Sequence, residues 1–141
     1  MGTVAFFTEG ISFKLSNKRN IRKWVGTVVR QEGYSLAHLN FIFCSDEYLL
    51  SVNQQYLSHN YYTDIITFNN SDSSEVIEGD IFVSIDRVQE NALSSHIDFQ
   101  IELQRVIIHG VLHLLGYDDH SPTDIQMIRQ KEDSYLSLLN K

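Results

Sequence analysis

A single cysteine, a single proline and no long apolar run are the scarcities of this 141-residue chain. With Cys44 alone no intrachain disulfide can form, and a reducing cytoplasm is the natural compartment. The opening residues Met1-Gly2-Thr3-Val4-Ala5-Phe6 lack the basic stretch and apolar core of a secretory signal. No apolar run approaches the roughly 20 residues of a membrane span. The expectation is a cytoplasmic protein with no membrane partner. Repeats, low-complexity tracts and linkers are missing too, so residues 1–141 are expected to form a single domain, large enough to bury a core without staples. A hydrophobic share of 43% with 21% charged residues is ordinary for such a domain.

The net charge of −7 argues against a protein that holds nucleic acid by overall electrostatics alone. Yet no acid falls between Glu9 and Glu32, and Lys14, Lys18, Arg19, Arg22, Lys23 and Arg30 are six of the eleven bases. A local basic face of this kind meets phosphates on some acidic proteins and is a solvated helix face on others. Both readings stay open at this point.

The periodicities predict an α+β fold of about four strands in a mixed sheet and about five helices. Val4–Phe7 and Ile11–Phe13 flank Glu9-Gly10 as an opening hairpin or a bent strand. A helix capped by Ser16 or Asn17 carries Ile21, Trp24, Val25, Val28 and Val29 on one face and runs to about Glu32, where Gly33 ends it. Leu39–Cys44 reads as a strand buried on both faces, and Ser45 caps a second helix to about Tyr56. Ile65–Phe68 and Gly79–Ile85 read as strands of a wide hairpin around a polar loop. A third helix covers Asp86 to about Leu93, and Asp98 caps a long fourth helix through the core. Ser121, with the lone Pro122 in the first turn, starts the last helix, to about Leu139.

That fourth helix carries the chemistry. His109 and His113 are four residues apart, which places both imidazoles on one helical face, their Cβ atoms roughly 6 Å apart. The spacing suits two ligands of one ion. Gly116 stops the helix, and three residues later comes Asp119, a candidate third ligand. Two ligands from a helix, one from the returning chain and an open fourth position describe a catalytic zinc site. Metzincin proteases share this spacing but carry a glutamate after the first histidine. Here that position is Gly110, which speaks against a peptidase. A glycine inside a helix costs about 1 kcal/mol relative to alanine, so it is expected to make room for a close neighbour.

Residues His109 to Asp119 resemble the H-G-x-L-H-L-x-G-Y-D-H signature of the YbeY family, bacterial zinc-dependent endoribonucleases of ribosomal RNA maturation. Asn53, Tyr56, Thr63, Asp64 and Phe68 are similar to the family's N-x-x-Y-R-x-K-D-x-x-T-D-V-L-S-F segment. Gly79-Asp80-Ile81-Phe82-Val83-Ser84 is similar to its G-D-I-x-I-S strand. The likeness covers residues 35–120. It implies one zinc ion per chain and single-strand-specific cleavage in small-subunit ribosomal RNA processing and ribosome quality control. It also implies ribosomal RNA and the small ribosomal subunit as partners.

Two departures stand out. The third zinc histidine of the family falls on Asp119, with His120 one place later. A carboxylate is an acceptable ligand, so Asp119 keeps the spacing, whereas His120 needs a one-residue slip of the turn; Asp119 is favoured. Leu57 stands where the family has an arginine, leaving phosphate contact to His59 or to the basic helix. With no glutamate beside His109, proton transfer falls to Asp118 and His120, the local choices. Asp64 and Asp80 flank the presumed cleft as further candidates or as structural caps. A rival reading is a non-catalytic, RNA-binding ribosome-assembly factor whose zinc is structural.

Overall fold

A computed structural model describes residues 2–59 and 61–140. Four strands, β1 (Thr3–Glu9), β2 (Ser35–Cys44), β3 (Ile65–Asn69) and β4 (Val76–Ser84), pair in the order β1-β2-β4-β3. β1/β2 and β2/β4 are parallel, and β3/β4 is antiparallel. Five helices complete the chain: α1 (Lys18–Gln31), α2 (Asp46–Leu57), α3 (Ile85–Ser95), α4 (Phe99–Leu114) and α5 (Pro122–Leu139). The α+β architecture with a mixed sheet is the one the periodicities predict, and β3/β4 is the expected hairpin.

Two strand expectations are corrected. Of the two openings weighed, a hairpin or a bent strand, the hairpin does not form: β1 is one strand, ending at Glu9, that pairs in parallel with β2, and Ile11 and Phe13 pack on the core as side chains of the connection. Parallel neighbours require a crossover, and α1 supplies it. Nor is β2 buried on both faces. Leu39, Phe41 and Phe43 lie under the helices, while Asn40 and Ile42 on the other face are half-buried. The cause is the narrowness of the second layer, where α2 packs Leu49 and Val52 against Cys44, Ile66, Phe68 and Phe82. That layer leaves the β1 side of the sheet open.

The helix ends follow local chemistry with small shifts. Ser45 accepts a hydrogen bond from the Tyr48 N–H at 3.1 Å, and Ser121 accepts one from Asp124 at 3.1 Å. Asp98 caps α4 through the N–H groups of Gln100 and Ile101. α3 starts one residue before the expected Asp86, because the Ser84 hydroxyl caps it from the Arg87 N–H. Asn17 precedes α1 in the left-handed conformation, with its side chain making no cap bond.

α4 runs through the middle of the main layer, with Leu103, Val106, Ile107, Ile108, Val111 and Leu112 buried. Gly110 is what lets it lie so close to the sheet. A Cβ there would fall 2.7 Å from Ile65 Cδ1 and 2.9 Å from Ile81 Cγ2, so the glycine makes the expected room. One polar stripe breaks the apolar surface: Glu102, Arg105, His109 and His113, spaced three, four and four residues apart on a single face. No helix among the described residues is long and apolar enough to cross a membrane.

Candidate metal centre

The two histidines on the last turns of α4 point at a common centre. His109 Nε2 and His113 Nε2 are 2.9 Å apart. Gly116, at φ +103°, turns the chain back, and the return brings Asp119 Oδ2 to 3.5 Å from His109 Nε2 and 3.4 Å from His113 Nε2. A tetrahedral ion with bonds of about 2.0–2.1 Å spaces its ligand atoms roughly 3.3 Å apart, so the three donors fit one divalent cation.

The donor chemistry agrees with that fit. His109 Nδ1 lies 2.6 Å from Glu132 Oε2; with the proton assigned to Nδ1, the neutral ring presents a lone pair at Nε2. Two such nitrogens and a carboxylate oxygen facing each other call for a positive charge between them. A carboxylate behind a ligating histidine is the usual support of a metal site.

Glu132 itself is buried, its side chain 4% exposed, and Arg105 Nη1 holds its other oxygen at 2.9 Å. Arg105 also reaches Asp133 at 2.7 Å. Burial alone would lower the pKa of His109. The bond to Glu132 and the charges of Glu132, Asp64 and Asp119 outweigh it and raise the ring above its ordinary value. A metal ion at Nε2 therefore competes with a proton.

The turn is fixed from below. Tyr117 donates to Glu32 Oε1 at 2.7 Å, Lys131 reaches Glu32 Oε2 at 3.1 Å, and the Tyr135 hydroxyl donates to the same carboxylate. Burial would raise the Glu32 pKa, but these three donors hold it below the ordinary carboxylate value. Tyr34 adds a bond to the Leu115 carbonyl at 3.1 Å. Asp118 and His120 face outward: His120 Nε2 lies 3.1 Å from Asp118 Oδ1, with side chains 82% and 57% exposed. Asp118, Asp119 and His120 form a second donor group, whereas Asp119 alone of the three also joins the helix histidines.

Asp64 and Asp80, paired in the sequence reading, part company. Asp64 lies within electrostatic reach of His109; burial raises its pKa, and the His109 charge pulls the other way. Asp80 is on the opposite face of the sheet from α4, its carboxylate held by Asn40 at 2.9 Å and Asn70 at 3.2 Å. It is no part of this centre. Leu57 is 40% exposed and lines a small cavity with Asn53, His59 and Ile65. Ile65 forms the wall between that cavity and Gly110. His59 is occupied with Tyr61, whose hydroxyl is 3.0 Å from its Nδ1.

The sequence reading missed Glu132, Arg105 and Glu32. One signal for Glu132 was available: with Ile128, Tyr135 and Leu136 it shares the buried stripe of α5, where a charge needs a partner. Glu32 gave none, since its partners come from residues 85 to 103 positions away.

A family model described as Endoribonuclease YbeY matches residues 7–140. A relative of that name from Cytophaga hutchinsonii is 52% identical over 136 residues, 96% of this chain and 95% of its own. Another, from Flavobacterium psychrophilum, is 46% identical over 134 residues, covering 95% of each. The solution structure of a Thermotoga maritima protein superimposes with a TM-score of 0.69 at 27% identity, covering 97% of this chain and 89% of that one. The signature around His109 and His113 thus sits within a match that spans nearly the whole chain, and the chain belongs to the YbeY endoribonuclease family.

Proposed function

We propose that this protein is a zinc-dependent, single-strand-specific endoribonuclease of small-subunit ribosomal RNA maturation and ribosome quality control. It would act in the cytoplasm on ribosomal RNA and the small ribosomal subunit. The observation that carries the reading is the triangle of His109 Nε2, His113 Nε2 and Asp119 Oδ2, with sides of 2.9, 3.4 and 3.5 Å. His109, His113 and Asp119 would hold one zinc ion and leave its fourth position to water or substrate. When bound, zinc supplies Lewis acidity toward a phosphoryl oxygen and acidifies water.

The chain's own residues supply the rest. Glu132 orients His109, and Arg105 keeps Glu132 in place. Asp118 and His120, paired on the exposed side of the turn, would take and return a proton. Asp119 in the position of a histidine makes the site one charge more negative, which weakens the metal as a Lewis acid.

Chelation is expected to abolish cleavage of a single-stranded ribosomal RNA fragment, and stoichiometric zinc to restore it. Undiminished cleavage in chelator would sink the proposal. Leu57, where the family has arginine, favours the rival reading of an assembly factor with structural zinc. Tight zinc and RNA binding with no cleavage at any metal loading would establish that rival.

The third ligand has its own test. Asp119→Ala is expected to lower zinc affinity sharply, and His120→Ala to leave it nearly unchanged while slowing turnover. The reverse pattern, read by competition with a zinc-sensitive dye, would mean that the turn slips by one residue in solution.

A further inference from the structure

We propose that α1, with the cleft between it and the starts of β1 and β2, is a phosphate-binding track that carries single-stranded RNA towards the metal centre. The proposal rests on the endoribonuclease reading and names a substrate site for it.

Ion pairing is the first observation. Among the described residues, the bases outside the α1 region are all paired. Arg87 meets Asp46 at 2.7 Å, Arg105 meets Glu132 and Asp133, Arg129 meets Glu132 at 3.6 Å, and Lys131 meets Glu32 at 3.1 Å. Lys14, Lys18, Arg19, Arg22, Lys23 and Arg30 are all exposed, and no carboxylate among the described residues pairs with any of them. On a chain with 18 acids and 11 bases, that segregation leaves one face positive while the whole is negative. A local field of this kind attracts polyanions whatever the net charge.

Shape is the second. Arg22, Lys23, Thr27, Arg30, Tyr34 and Thr3 line a cleft of about 870 Å³. Its two arginines are held by neutral groups. Arg22 Nε donates to the Val4 carbonyl at 3.0 Å, and the guanidinium lies 5.1 Å from the Phe6 ring centroid. Arg30 Nη2 reaches Thr27 Oγ1 at 3.4 Å, and its Nη1 is 3.2 Å from where a Cβ on Gly26 would stand. Gly26, inside a helix, thus leaves space for that guanidinium along the helix surface. The remaining N–H groups keep their charge and a fixed orientation, as bidentate phosphate contact requires.

Continuity is the third. Phe6 also lines a neighbouring cavity of about 410 Å³ with Lys14, Lys18 and Phe7. Phe7 is 51% exposed, an aromatic face of the type on which an unpaired base stacks. From Lys18 to Arg30 the helix rises about 18 Å. At the Arg30 end Tyr34 lines the cleft and bonds to the Leu115 carbonyl, next to the turn that carries Asp119. Tyr34 thus joins the Arg30 end of the cleft to the residue that opens this turn.

The test uses the triple variant Lys18→Ala, Lys23→Ala, Arg30→Ala; Arg22 is left alone because it braces Val4. Binding of a fluorescent, cleavage-resistant 2′-O-methyl oligoribonucleotide is measured against salt, alongside zinc content and the thermal midpoint. Each lost phosphate contact removes about 0.7 from the slope of log affinity against log salt. The variant's slope is therefore expected to be shallower by about 2. Between 50 and 200 mM salt the unsubstituted protein should lose about 20-fold more affinity than the variant, with zinc content and midpoint unchanged. The variant Lys18→Arg, Lys23→Arg, Arg30→Lys should keep the full slope.

An unchanged slope in the alanine variant would overturn the track, even if the metal centre proves to cleave RNA. Binding to phosphatidylglycerol vesicles without binding to the oligonucleotide would overturn it as well, in favour of a membrane surface. A full slope in the unsubstituted protein, lost in the alanine variant, would establish the track even if no RNA is cleaved, and only the hydrolase reading would then fall.

Discussion

Replacing His113 with alanine is expected to take zinc from about one ion per chain to almost none and to end RNA cleavage, with the fold left in place. His113 Nε2 is one corner of the donor triangle, 2.9 Å from His109 Nε2 and 3.4 Å from Asp119 Oδ2. Without it only two protein ligands remain, and a catalytic zinc ion is normally held by three. The structural cost is small, because the ring is half-buried and its polar contacts are the other two donors. Alanine is also the better helix former, by up to about 0.7 kcal/mol. The stabilisation expected to disappear is that conferred by a bound ion, which would grow with free zinc relative to its dissociation constant. Zinc addition should therefore raise the thermal midpoint of the unsubstituted protein and leave that of the variant where it is. Far-UV dichroism should match between the two. Stoichiometric zinc in the variant, measured by mass spectrometry after gel filtration, would remove His113 from the site.

How much of this was readable from the residues depends on how local the cause is. Ser45, Ser121 and Asp98 act on N–H groups two or three residues away, so their helices start where the sequence places them. The histidine pair is equally local, since a four-residue spacing on a helix determines the geometry by itself. Gly110 was half-readable: its oddity was visible, but its neighbours Ile65 and Ile81 lie some 30 to 45 residues back along the chain. The opening strand went astray for the same reason. A hairpin and a parallel edge strand present the same short apolar run, and the choice is made by pairing with β2, more than 30 residues later. Asp64 and Asp80 looked alike because the sequence puts each near a strand start, but Asp80 lies within β4, where alternation puts neighbouring positions on opposite faces. Ile81 packs on α4, so Asp80 must look away.

Glu132→Ala is expected to damage both the fold and the metal affinity, although this residue donates nothing to the ion. Its carboxylate sits between His109 Nδ1 at 2.6 Å and Arg105 Nη1 at 2.9 Å, with its side chain 4% exposed. Removing one member of a buried charged set leaves the others without a partner and costs about 3–5 kcal/mol. Arg105 keeps its contact with Asp133, so about 3 kcal/mol is the fitting expectation for the metal-free protein. Loss of the carboxylate behind a ligating histidine typically weakens metal binding by about 10–100-fold. Glu132→Gln keeps the volume and one acceptor, and should lose less stability than alanine while still losing zinc affinity.

A pH series separates this role from simple packing. Glu132 helps to raise the His109 pKa above its unfolded value of 6.5. The stability from that proton is fully present below about pH 6.5 and is lost as the pH rises through the raised value. In chelator, urea unfolding should therefore show a larger gap between the unsubstituted protein and Glu132→Ala at pH 6 than at pH 9. A gap that does not move with pH would leave Glu132 a packing residue with no hold on His109. A zinc dissociation constant unchanged in both variants would detach it from the metal centre altogether.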